Sequence, residues 1–175
     1  MAGTLAPRPS LVALDTNVLL DLADENEQTR DALDLIRSRG SFQLVVTPTV
    51  VQELAFGYDN WKEPKRLLAE VALTSLLRWG ISPINLVAVG HGICECVADE
   101  IRRRGYLPEE ERNDSLILAE AALAECVLLV SWDEHLLSAP SESVAMLLAE
   151  KDLSRVIVVA PSKINSLFQV RFRRK

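Results

Sequence analysis

Short, largely apolar runs alternate with longer segments of helical periodicity along this chain, and that alternation is what most restricts its fold. The apolar runs lack a polar residue at every second position, which is typical of strands buried on both faces of a sheet. We expect strands over residues 11–14, 42–46, 127–131 and 155–159. Residues 85–89 are either a further short strand or an extended connection.

The segments between these runs have apolar residues at the spacing of amphipathic helices. The predicted helices begin near residue 18 and then cover residues 29–39, 48–57, 63–79, 93–104, 114–126, 142–153 and 162–168. Strands separated by helices form βαβ units. We therefore expect an α/β fold with three layers, α/β/α, around a mostly parallel sheet of about five strands. At 175 residues the chain is most simply one domain, residues 1–175, with a short basic tail at about 168–175.

Four acidic residues are placed where they could meet at one edge of this sheet. Asp15 directly follows the first predicted strand, and Asp133 follows by two residues the strand that ends at Ser131. Glu53 lies about one and a half turns into the helix after the second strand. Asp114 begins a helix that returns to the amino end of a strand, so it must start at the carboxyl edge. Ligands of parallel α/β sheets bind at that edge.

Four carboxylates that converge in this way repel one another unless cations hold them together. Oxygen ligands without an organised His or Cys set favour Mg²⁺ or Mn²⁺ over zinc. Such an ion can polarise a phosphate, lower the pKa of an attacking water and stabilise the departing oxygen. The arrangement therefore favours hydrolysis of a phosphodiester bond.

Each acid also has a simpler interpretation when it is taken alone. Asp15 and Asp133 could cap the helices that follow them, and Asp114 could complement a helix dipole. Glu53 by itself is typical of a helix surface. Their joint placement favours the metal site. A zinc site at His91, Cys94 and Cys96 lacks a fourth ligand at the usual spacing, so those two thiols and Cys126 are interpreted as buried cysteines.

Four motifs carry a resemblance to a known family. In order they are LDTNVLLDL, TPTVVQEL, NDSLILAEA and VSWD, and the resemblance covers roughly residues 10–166. This chain resembles a PIN domain, the nuclease fold of VapC-type toxins. It departs from the usual pattern in having Trp132 just before the last acid and more residues between Glu53 and Asp114.

The resemblance implies a role for each matching residue. Asp15 and Asp114 would be the principal ligands of Mg²⁺ or Mn²⁺, Glu53 would complete the ligand set or act through water, and Asp133 would serve a second metal position. Thr16 and Asn17 match the first motif, with Asn17 bracing Asp15. Ser131 matches a Thr or Ser that hydrogen-bonds into the cluster.

The resemblance also implies a substrate and partners: single-stranded RNA, a cognate antitoxin protein and a second copy of the chain in a homodimer. Because the net charge is -6, RNA must be attracted by local basic patches. The candidates are Arg102, Arg103, Arg104, Arg171, Arg173, Arg174 and Lys175. No segment has the roughly 18 consecutive apolar residues of a membrane span, and no signal peptide is apparent, so we expect a cytoplasmic protein.

Other functions fit less well. A haloacid-dehalogenase-type phosphatase needs a second Asp two residues after Asp15, and this chain has Asn17 there. Dinucleotide binding would require a G-x-G-x-x-G motif, which the sequence lacks. The main alternative is a catalytically idle PIN-like module that binds RNA or protein. The intact set of four acids favours the enzyme.

Overall fold

The computed structural model describes residues 8–172, with their side chains as far as residue 168. Its centre is a sheet of five strands, all parallel, in the order β3-β2-β1-β4-β5. The strands are β1 (Ser10–Leu14), β2 (Phe42–Val46), β3 (Ile81–Pro83), β4 (Cys126–Val130) and β5 (Ile157–Val159). The predicted α/β architecture is confirmed, and the described sheet is entirely parallel.

Helices connect the strands and cover the sheet. They are α1 (Thr16–Ala23), α2 (Glu27–Ser38), α3 (Pro48–Asn60), α4 (Lys65–Ser75), α5 (Ala88–Arg103), α6 (Arg112–Leu123), α7 (Glu134–Ser138), α8 (Ser141–Glu150) and α9 (Ile164–Phe172), with a 3₁₀ turn at Pro161–Lys163 before α9. None of the helices described is long and apolar enough to cross a membrane. The buried strand residues explain the runs seen in the sequence: Val12, Leu14 and Leu129 are completely inaccessible to solvent.

Of the two alternatives for residues 85–89, the strand is wrong: residues 85–87 belong to the connection between β3 and α5. The edge strand lies earlier, at β3, where buried Ile81 pairs with Leu44 of β2. Val87 and Val89 are both exposed, and α5 already begins between them at Ala88. The helix predicted over 63–79 is also shorter, since α4 spans only Lys65–Ser75.

The strand order creates one point where the connections diverge. From β1 the chain moves outward to β2 and β3, and it later returns on the other side of β1 to form β4 and β5. A crevice therefore opens between the carboxyl ends of β1 and β4, which is where open parallel sheets bind ligands. Asp15 follows β1 and Ser131 follows β4, so both lie at this crevice.

Candidate functional site

Asp15 is the innermost acid of the crevice. Its backbone N–H donates to the Val130 carbonyl of β4 at 3.0 Å, and its side chain caps α1 by accepting a 2.7 Å bond from the Thr16 N–H. The residue is only 3% exposed. Burial raises the pKa of Asp15 to about 6, while hydrogen bonds from Ser131 and Thr16 oppose that rise.

Ser131 and Asn17 hold the second oxygen of Asp15. The Ser131 hydroxyl donates to Asp15 Oδ2 at 2.6 Å, and Asn17 Nδ2 donates to the same oxygen at 2.9 Å. Asn17 is itself oriented, because its Oδ1 accepts the Trp132 backbone N–H at 3.1 Å. These contacts join the start of α1 to the end of β4 and fix the direction in which the carboxylate faces.

Glu53 reaches the crevice from the second turn of α3. One oxygen accepts from the Thr16 hydroxyl, and the other accepts from Asn113 Nδ2 at 2.6 Å. Thr16 therefore connects two acids: its backbone N–H donates to Asp15 and its hydroxyl donates to Glu53. Asn113 lies in the first turn of α6, so the hydrogen bonds of Glu53 link three helices at this edge of the sheet.

Asp114 lies in the first turn of α6, which begins two residues earlier than predicted, at Arg112. Burial raises the pKa of Asp114 to about 8, and the negative charges of Asp15 and Asp133 add to the rise. Asp114 is less buried than Asp15, yet its pKa is higher. The difference arises because donors stabilise the Asp15 carboxylate, whereas the described residues donate no hydrogen bond to the Asp114 side chain.

Asp133 caps α7, where its Oδ1 accepts the Leu136 N–H at 2.9 Å. Its own N–H donates to Ser131 Oγ at 2.9 Å. The capping role and proximity to the other acids coexist, since the charge of Asp133 contributes to raising the pKa of both Asp15 and Asp114.

The four acids provide oxygen donors only, which suits Mg²⁺ or Mn²⁺. In the described part of the chain, no three His, Cys, Asp or Glu side chains form a ready-made cage for an ion. A complete cage is not required for Mg²⁺, which usually binds one or two carboxylates and keeps several waters. Burial is the larger cause of the raised pKa values of Asp15 and Asp114, and repulsion from neighbouring acids adds to it. A cation near these two carboxylates would stabilise their charged forms.

The mid-chain arginines are engaged with acids of the same molecule. Arg102, whose side chain is 11% exposed, pairs with Asp99 and donates to the Ser115 hydroxyl. Arg103 pairs with Glu100. Arg104 contacts Glu100 at 2.7 Å and Glu150 at 2.8 Å. These contacts favour a structural role for Arg102 and Arg104 and neutralise part of the basic patch.

The predicted basic tail lies largely beyond the part of the chain that the structure describes. Arg171 is near the end of α9, although its side chain is not among those described, and Arg173, Arg174 and Lys175 lie outside the described residues.

The sequence interpretation overlooked Glu120, a carboxylate that is only 2% exposed. It accepts from Thr49 twice, at the backbone N–H (3.1 Å) and at the hydroxyl (2.9 Å). Thr47 occupies the capping position of α3, but its side chain makes no capping bond. Glu120 of α6 thus stabilises the start of the helix that carries Glu53. No local sequence pattern indicates this contact, because Thr49 and Glu120 are 71 residues apart in the chain.

The cysteines are free thiols. Cys94 and Cys126 are buried, and burial raises the pKa of each to about 12. Thiols in that state are inert as nucleophiles and weak metal ligands. Cys96 is exposed, contrary to the prediction that all three are buried.

Comparisons with known proteins agree with this architecture. The fold resembles the solved VapBC2 complex from Rickettsia felis bound to a DNA fragment from its promoter, with 17% identity, a TM-score of 0.58 and coverage of 86% of this chain and 98% of that chain. It also resembles VapBC-1 from nontypeable Haemophilus influenzae, with 15% identity, a TM-score of 0.52 and coverage of 87% and 99%. At these identities the likeness concerns the fold.

No curated protein sequence gives a significant match to the chain. The family comparison is more specific, because the PIN domain family matches residues 12–141, which include all four acids of the crevice. Through that match, this chain belongs to the PIN domain family.

Proposed function

We propose that this protein is a Mg²⁺- or Mn²⁺-dependent endoribonuclease that hydrolyses phosphodiester bonds of single-stranded RNA. One observation carries the proposal: Asp15, Glu53, Asp114 and Asp133 come from separate elements to one crevice, where burial raises the pKa values of Asp15 and Asp114 and the charges of neighbouring acids add to the rise. Acids so placed destabilise one another without a cation. Membership of a family of nucleases supports the same chemistry.

Asp15 and Asp114 would hold the ion, with Glu53 completing the ligand set or orienting a water and Asp133 serving a second, weaker position. When bound, the ion supplies Lewis acidity toward the phosphate and lowers the pKa of the attacking water. Ser131 and Asn17 keep the buried Asp15 carboxylate in one orientation, at 2.6 and 2.9 Å. Asn113 and Thr16 do the same for Glu53.

We further propose that the protein acts as the toxin of a VapBC-like toxin–antitoxin pair in the cytoplasm, as a homodimer. The support is the likeness of its fold to chains of two VapBC complexes, which it covers almost completely. A cognate antitoxin would then be its protein partner. Co-expression with a small protein encoded next to it, followed by co-purification, tests this part.

The enzymatic part is tested by incubating purified protein with an end-labelled pool of single-stranded RNA. We expect cleavage with Mn²⁺ or Mg²⁺, loss of cleavage in EDTA and recovery when Mn²⁺ is added back. Asp15→Ala and Asp114→Ala should each reduce the rate by orders of magnitude, because each removes charge that holds the ion.

The matched control is Asp34→Ala, which removes an exposed acid of α2 that pairs with Arg37. It should cleave as the wild type does. Cleavage that persists in Asp15→Ala would reveal a contaminating nuclease and leave the proposal without support. A pure protein that binds RNA but cleaves none under any of these conditions would instead be the idle PIN-like module.

A further inference from the structure

A cavity of about 510 Å³ lies beside Glu53. Its lining consists of side chains from α3, the residue after α3 and the first turn of α6: Thr49, Gln52, Glu53, Phe56, Trp61 and Asn113. The cavity shares Glu53 with the crevice of acids and therefore adjoins the candidate site. It is large enough for more than one water-sized group, and its walls combine two aromatic rings with two amides.

Phe56 is the exposed wall of this cavity. It follows Glu53 by one helical turn, so the two side chains occupy the same face of α3. Although phenylalanine is usually buried, Phe56 is 60% exposed and is not part of the hydrophobic core. An aromatic ring kept in solvent one helical turn from Glu53 is available to stack on a ligand.

Trp61 is the fixed wall. A Cβ atom at Gly57 would lie only 2.4 Å from the Trp61 ring, so the indole packs directly on the backbone of α3. The Lys65 ammonium lies over the same ring, 4.1 Å from its centroid. These contacts hold the indole in place and put a positive charge close to the cavity, where a nucleic-acid phosphate would be attracted.

We propose that this cavity binds one nucleobase of the RNA next to the bond that is cleaved, with the base stacked on Phe56. The inference rests on the proposed ribonuclease function and adds to it a base-binding subsite. Stacking on an aromatic side chain accepts any base, because every base has a π face. Selectivity then comes from the amides of Gln52 and Asn113, which can hydrogen-bond to the edge of a base.

Asn113 couples this subsite to the acids. One of its N–H groups donates to Glu53 at 2.6 Å, which leaves its carbonyl oxygen to accept from a base. A base held against Asn113 is thus positioned relative to Glu53. This placement explains why an exposed phenylalanine and a polar pair of amides surround the same small space.

The test uses a defined single-stranded RNA 12-mer whose cleavage position has been mapped with the wild-type protein. Bases on either side of that position are replaced, one at a time, by abasic nucleotides. At one position the wild type should lose about 5- to 150-fold in kcat/KM, the range expected for one base–aromatic stack. With the intact RNA, kcat/KM of Phe56→Ala should be lower than that of the wild type by the same factor. Placing the abasic nucleotide at that position should then reduce kcat/KM of Phe56→Ala little further, because the stack is already absent.

Two variants serve as controls. Phe56→Tyr keeps a stacking ring and should retain both the rate and the sensitivity to the abasic nucleotide. Met146→Ala removes a side chain that is 66% exposed on α8, outside the cavity, and should behave as the wild type. Thermal melting of each variant checks that it is folded, which is expected because the substituted side chains are exposed.

The base-binding subsite is overturned if Phe56→Ala cleaves intact RNA with the wild-type kcat/KM and keeps the wild-type abasic profile. That result would indicate that Phe56 does not contact RNA, and its exposed ring would then be expected to contact a partner protein. If the wild type cleaves no RNA, the ribonuclease proposal fails separately. The subsite is then judged by fluorescence anisotropy with the same oligonucleotides, and equal affinity of the wild type for intact and abasic RNA overturns it.

Discussion

The Ser131 hydroxyl donates a 2.6 Å hydrogen bond to Asp15 Oδ2 across a sequence separation of 116 residues. The contact joins the end of β4 to the end of β1 and is completely buried at Ser131. It supplies a donor to a carboxylate that has been removed from water, which lowers the cost of keeping that carboxylate charged.

Removal of the Ser131 hydroxyl should weaken metal binding. In Ser131→Ala the buried Asp15 Oδ2 keeps the Asn17 donor only, so the carboxylate is less well oriented. Loss of a residue that orients a metal ligand typically costs about 10- to 100-fold in affinity. Isothermal titration with Mn²⁺ measures the change, and Ser138→Ala, whose hydroxyl donates to the exposed His135 carbonyl, is the control. Wild-type affinity in Ser131→Ala would contradict the role.

Mn²⁺ or Mg²⁺ should raise the melting temperature of the wild type, because an ion that binds only the folded state stabilises it by mass action. Asp114→Asn should abolish most of this shift, since it removes a proposed ligand. Differential scanning fluorimetry over a Mn²⁺ series is sufficient. An unchanged melting temperature at millimolar Mn²⁺ would argue against a metal site in the crevice.

The metal-free protein should become less stable as the pH rises from about 4 to about 8. The pKa of Asp114 rises from 3.8 to about 8 on folding, so the folded state binds more protons than the unfolded state within that window. The stabilisation is fully present below pH 3.8 and is lost as the pH passes through about 8. The free energy of unfolding of Asp114→Asn, relative to that of the wild type, should therefore increase as the pH rises from about 4 to about 8. Above about pH 8 the difference between the two proteins should stay constant. Urea denaturation in EDTA at several pH values provides the measurement. If the difference in free energy of unfolding between the two proteins were the same at every pH, the titration of Asp114 would not be the cause.

Glu120→Ala should destabilise the fold. The substitution leaves the Thr49 N–H and hydroxyl at the start of α3 without their acceptor in a buried position. An unsatisfied buried donor costs about 1–3 kcal/mol. Chemical denaturation should show that loss, with Glu125→Ala on the loop after α6 as a control acid. Mn²⁺ affinity should fall less than in Asp114→Asn, because Glu120 acts only through the position of α3.

The salt dependence of RNA binding should come more from the C-terminal residues than from the mid-chain arginines. Truncation after Phe172 removes Arg173, Arg174 and Lys175 but keeps α9. It should reduce the slope of log K against log salt by about 0.7 for each phosphate contact that is lost. Arg104→Ala should change the slope little, since this side chain already pairs with Glu100 and Glu150. Filter binding over a KCl series compares the two, and the reverse order would contradict the prediction.

Element order was accessible from the sequence where the local pattern was strong. Four strands are predicted within about two residues of their observed bounds, because a largely apolar run marks each of them. The edge strand β3 was missed since it has only three residues and one of them, Pro83, is a poor strand former. The more apolar run at residues 85–89 is a stronger local indication of a strand, although Val87 and Val89 are exposed.

The sequence by itself determined a parallel α/β fold and the convergence of Asp15, Glu53, Asp114 and Asp133 at one sheet edge. Both follow from local periodicity and from the direction of parallel strands. Only the tertiary structure decided that Ser131, expected to hydrogen-bond into the cluster, donates to Oδ2 of Asp15, that Glu120 caps α3 and that Phe56 and Trp61 border a cavity next to Glu53. Hydrogen bonds, burial and pKa shifts of this kind depend on groups that are far apart in the chain, and their distances are fixed only when the helices pack against the sheet.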